Sequence, residues 1–176
     1  MKILITALAI TAAIAGPVAA QSAAEKTGVN SVMGIAPSTE DFVREASASN
    51  LFEIESSKLA LERGNEQTKG FAQQMITDHE KVGTSLKQMI ESGKLKATPS
   101  TTLSSSQSGM LDELKELKGA EFDEQYREDQ VTAHENAVDL FKRYSEGGDH
   151  ADLKKWASDN LPALQHHLAM IQAMEK

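Results

Sequence analysis

The chain has no cysteine, four prolines, one tryptophan and only 5% aromatic residues among its 176. Without cysteine there is no disulfide framework, thiolate metal site, cysteine nucleophile or lipid-modified cysteine. Any metal must be held by His, Asp, Glu or Asn. Positive charge is also scarce: 18 Lys plus Arg stand against 26 Asp plus Glu, for a net charge of −8. No broad basic face can form, so nucleic acid is not an expected partner. Catalytic signatures are missing too. There is no G-x-S-x-G, P-loop, G-x-G-x-x-G or H-E-x-x-H pattern, and His134-Glu135 lacks the second His that a metalloprotease helix needs.

What is present begins with an address. Met1-Lys2 supplies one positive charge, residues 3–15 are apolar apart from Thr, and Gly16-Pro17 leads to Val18-Ala19-Ala20. That is the order of a secretory signal with cleavage after Ala20, and its apolar run is too short to span a bilayer. No later segment is apolar enough to cross one, and no barrel-like alternation occurs, so stable membrane insertion is not expected. The expected location is periplasmic or secreted. Removing residues 1–20 takes Lys2 with it and moves the net charge from −8 to −9. The remaining length suits one domain.

Punctuation and period divide that domain. Residues 21–37, rich in Ser, Ala and Gly, read as a flexible lead-in. Ser38 and the following acids open a helix over about 40–63 that stops at Gly64, and Asn65 caps a second over about 66–91. Residues 94–119 form a long connection carrying one small helix. A third helix is predicted over about 120–145. A fourth, capped by Asp149, runs to near the C-terminus and is interrupted by Pro162. Strand signals are absent. The expected class is all-α, an up-down four-helix bundle with a long crossover between its second and third helices.

On a helical wheel each helix turns a polar residue into its apolar stripe: Glu53, His79, His134 and His167. Counting about 1.5 Å per residue from the bundle end puts Glu53, His79 and His134 level within one turn, with His167 about 10 Å nearer that end. Asn160 is nearly level with the first three, while Asp78 lies at the border of the stripe and Asp123 inside it. Three imidazoles and a carboxylate suit one Zn, Fe, Cu or Mn ion, with Asp78, Asp123 and Asn160 as supporting groups. The competing reading is an internally hydrogen-bonded cluster that fixes helix register. The methionines at 75, 89, 110, 170 and 174 fall at core spacing and read as packing.

The segments Asp41-Phe42-Val43, Asn50-Leu51-Phe52-Glu53-Ile54, Phe71-Ala72-Gln73-Gln74-Met75-Ile76-Thr77-Asp78-His79, Gly119-Ala120-Glu121-Phe122-Asp123 with Tyr126 and His134, and Leu161-Pro162 with Leu164-Gln165-His166-His167 resemble a family of exported bacterial proteins, domain of unknown function 4142. The resemblance covers nearly all of the chain after the leader. It implies a ferritin-like four-helix fold and bacterial export without supplying an activity. Its pattern positions match Glu53, Asp78, His79, Asp123, His134 and His167. Ferritin-like di-iron centres use Glu-x-x-His on two helices. Here Ile76, Val131 and Leu164 stand three residues before the histidines, so too few carboxylates remain for a bridged pair of irons and a mononuclear site is the most that is expected.

The favoured expectation is a non-enzymatic exported protein, with one metal ion or a buried polar cluster on its axis, serving metal handling or envelope stress. The alternatives are a redox metalloenzyme acting on reactive oxygen species and a metal-free structural or interaction module of the envelope.

Overall fold

The computed structural model describes residues 23–26 and 28–174. The leader expected at 1–20 lies outside the described residues. Those residues are helical and contain no strand. The helices are α1 (Ala23–Lys26), α2 (Val29–Val32), α3 (Thr39–Arg63), α4 (Glu66–Glu91), α5 (Ser105–Glu116), α6 (Gly119–Gly147) and α7 (Ala151–Ala173). None is long and apolar enough to cross a membrane.

Side-chain caps set most of the starts, because the first backbone N–H groups of a helix have no partner within it. Ser38 accepts from Asp41 N and Asn65 from Thr68 N, and Ser104 forms a reciprocal box with Gln107. α7 departs from expectation. Its cap is His150, whose Nδ1 accepts from Leu153 N at 3.3 Å, while Asp149 is engaged by the Thr39 and Tyr144 hydroxyls. Pro162 does not interrupt this helix. It lies inside α7 on an exposed turn.

α3 packs on α4 and α6, and α7 packs on α4 and α6, closing a ring of four long helices. Cross-helix pairs give the directions. Short loops join α3 to α4 and α6 to α7, Ser57 meets Tyr126 while Thr39 meets Tyr144, and Asp78 meets His167 while Ser85 meets Trp156, so each neighbouring pair is antiparallel. α4 and α6 therefore run the same way, joined by the connection that carries α5. Their starts are tied directly, since Asn65 N donates to Asp123 Oδ1 at 3.0 Å.

The interior has two apolar ends. One gathers Phe42, Leu86, Phe141, Tyr144 and Trp156, and the other Phe71, Met75, Phe122, Tyr126 and Ile171. Between them lies a polar layer of Glu53, His79, Gln130, His134 and His167, all buried.

The flexible lead-in expected at 21–37 is not seen in its described part: residues 23–26 and 28–37 carry α1 and α2 and are clamped on α6. The physical cause is Arg143, which donates to both Glu25 oxygens, to Asp139 and to Ile35 O. Ser31 adds a bond to Asp139 at 2.8 Å.

Candidate metal centre

Three helices each contribute one imidazole to the polar layer: α4 His79, α6 His134 and α7 His167. Their ring centroids are 6.0, 5.7 and 5.6 Å apart, close to an equilateral triangle. All three are nearly inaccessible, at 4%, 0% and 3% exposure.

On each ring one nitrogen is engaged outward. His79 Nδ1–H donates to Asn50 Oδ1 at 3.0 Å, His134 Nδ1–H to Gln130 O at 2.8 Å, and His167 Nε2–H to Asp78 Oδ2 at 3.1 Å. A carbonyl or carboxylate oxygen can only accept, so these bonds place the imidazole proton on the outward nitrogen. The remaining nitrogens, His79 Nε2, His134 Nε2 and His167 Nδ1, are buried without a hydrogen-bond partner. One ligand nitrogen from each ring lies within 4.8 Å of the other two. Their common centre therefore lies no more than about 2.8 Å from each, against ~2.0–2.1 Å for a zinc–imidazole bond. Less than an ångström of inward movement per ring would close that gap.

Electrostatics keep the rings neutral. Burial, reinforced by the neighbouring His134 and His167, holds His79 well below the ordinary histidine range. Burial takes His134 to about 4 despite its bond to Gln130 O. His167 is also lowered by burial, although Asp78 pulls the other way. Partial burial opposes charge on Asp78 itself, yet hydrogen bonds from Gln74, Lys81 and His167 hold it near 2. Three lone pairs thus face one another with no proton between them, an arrangement that favours a cation.

Glu53 does not join this trio. Its Oε1 is 3.7 Å from His134 Nδ1, the nitrogen already bonded to Gln130 O, so the carboxylate lies against the outer edge of the ring. Both of its oxygens are buried without a hydrogen-bond partner. Burial raises it to about 8; the Gln130 amide draws it down and Asp129 pushes it further up.

His167 is level with His79 and His134, not about 10 Å nearer one end. Side chains on a helix lean toward its N-terminus. His167, on a helix antiparallel to the other two, therefore leans toward them while they lean toward it, and the count along the axes overstates their separation. Asp78, at the border of the α4 stripe, stands behind His167 and accepts its Nε2–H. Asp123 does not support the centre, because it accepts from Asn65 N at the end of the helices. Asn160 does not either, since its Nδ2 donates to Trp156 O of its own helix. Two supporting groups went unrecognised in the sequence. Asn50 had a signal, being one turn before Glu53 on α3. The Gln130 carbonyl had none, because every residue carries one.

A family model described as a domain of unknown function, DUF4142, matches residues 21–174. No curated protein and no solved structure matches the chain.

Proposed function

We propose that this chain, which belongs to the DUF4142 family, binds one transition-metal ion between His79, His134 and His167 and serves metal handling in the cell envelope. The observation that carries the reading is the trio of inward, unprotonated, unpartnered nitrogens. A cluster built only to fix helix register would satisfy its own polar atoms. Neutral imidazoles suit Zn, Cu and Fe better than Mn, which prefers oxygen donors. Glu53, protonated while the rings stand alone, would give up its proton as the ion's charge arrives and then offset that charge. The bonds from Asn50, the Gln130 carbonyl and Asp78 would hold the rings in their ligating tautomers.

The export reading rests on the leader-like order of residues 1–20. The ferritin-like reading draws support from the ring of four long helices with parallel α4 and α6 after a long crossover. Non-enzymatic handling is favoured because the ligand atoms are buried.

The test is metal content of untagged protein purified from the periplasm, compared with His79→Ala and His134→Ala. About one ion per chain is expected in the parent and a loss of at least tenfold in affinity in each variant. Equal metal content in all three removes the centre. Turnover of peroxide by the metal-loaded protein would replace handling with redox catalysis.

A further inference from the structure

α3 and α4 present matching faces, Ala46, Asn50 and Ile54 on one and Val82, Leu86 and Ile90 on the other, at the i, i+4, i+8 spacing of a helical stripe. Between them runs a groove of about 290 Å³, roofed by residues 99–101 of the crossover and reaching Trp156 of α7. The roof is pinned, because Ser100 N donates to Ser47 Oγ at 2.7 Å. Its size approaches that of small-molecule sites and is too small for a partner helix.

The polar lining is donor-rich. Asn50 has its Oδ1 committed to His79, which leaves the Nδ2 amide hydrogens for the groove. Gly83 keeps that group open: a Cβ there would lie 2.9 Å from Asn50 Nδ2. One turn further along α4 is Lys87, the only charged residue of the lining. It is exposed and meets only Glu91, at 3.6 Å, across an equally exposed i,i+4 pair. In a chain with 26 Asp and Glu, no acid lines this groove. An apolar floor, an amide N–H and an ammonium fit a molecule with an aliphatic body and one anionic, acceptor-only end.

We propose that this groove binds a small aliphatic monocarboxylate, its carboxylate on Asn50 Nδ2 and Lys87 Nζ and its tail against Leu51, Ile54, Leu86 and Trp156. The site stands independently of the metal centre, although Asn50 touches both. Binding would be felt at His79 through one hydrogen bond.

Trp156 is the single tryptophan of the chain and lines the groove, so its fluorescence reads a ligand seated there. Octanoate is titrated into the purified chain, once with EDTA and once with added zinc. A saturable change at one equivalent per chain is expected under both conditions. Octylamine, with the same tail and the opposite charge, is expected to leave the signal unchanged. Lys87→Glu, an exposed substitution, should weaken octanoate binding at least tenfold with the helical circular dichroism unaltered. Val82→Phe, which fills the groove, should abolish it. A non-saturating response, an equal response to octylamine, or an unchanged affinity in Lys87→Glu overturns the proposal. None of these outcomes depends on whether the three histidines hold metal.

Discussion

Glu53 has the most to lose by ionising, since its buried carboxylate would have only the Gln130 amide to offset the charge. Its value near 8 lies above the ordinary 4.5, so between those values the folded chain keeps a proton that the unfolded chain has released. Stability of the metal-free protein should then fall as pH rises from about 5 to 8, by about 5 kcal/mol from this group alone. His134 has the opposite slope. Held near 4 rather than 6.5, it stays neutral where the unfolded chain takes up a proton, so stability should fall by about 3 kcal/mol as pH drops through that interval. Urea unfolding in EDTA from pH 4 to 9 should show the greatest stability where these limbs overlap, between about pH 5 and 6.5, and Glu53→Gln should flatten the alkaline limb while leaving the acidic one. A parallel decline in both proteins above pH 5 would show that Glu53 is solvated. The sequence makes these residues legible because a charged or imidazole group inside an apolar stripe breaks the pattern. It does not reveal what they bond to: Asn50 is half-buried and breaks nothing, and the partner of His134 is main chain.

Helix boundaries were the most legible feature at the level of elements. Ser38, Gly64, Asn65 and the Gly147-Gly148 pair are local signals, and local chemistry decides where a helix starts and stops. Gly64 and Gly148 also lack room for a side chain, since a Cβ would lie within 2.5 Å of Thr68 and 2.6 Å of Tyr144, respectively. The lead-in was illegible because its order comes from a distant residue. Arg143, buried on α6, carries the ion pair with Glu25 and the bond to Ile35 O. Arg143→Ala should therefore release residues 28–37, whose exposed Val29, Val32, Met33 and Ile35 contribute little packing of their own. The expected signs are early protease cleavage in that segment and a loss of about 2 kcal/mol, while the long helices keep their hydrogen-exchange protection. Resistance equal to the parent's would show that the strap is held some other way.

For the whole molecule, the polar layer divides the core, with an apolar cluster on each side. Such a layer stabilises little when empty and more when a cation satisfies it. Metal at a hundredfold excess over its Kd should add about 2.7 kcal/mol, raising Tm by roughly 5–10 °C for a chain of this size. Calorimetry with zinc and with EDTA measures this, and His134→Ala should abolish the difference. The class and the crossover were legible because period and loop length determine which helices can be neighbours. The depth of His167 was not, because it depends on how side chains lean across antiparallel helices. The crossover has one more consequence. A cut within it would leave two helical hairpins, one bearing His79 and the other His134 and His167, so neither half could complete the triad alone. A bound ion would then be a clasp between fragments, and its removal should let a nicked molecule come apart.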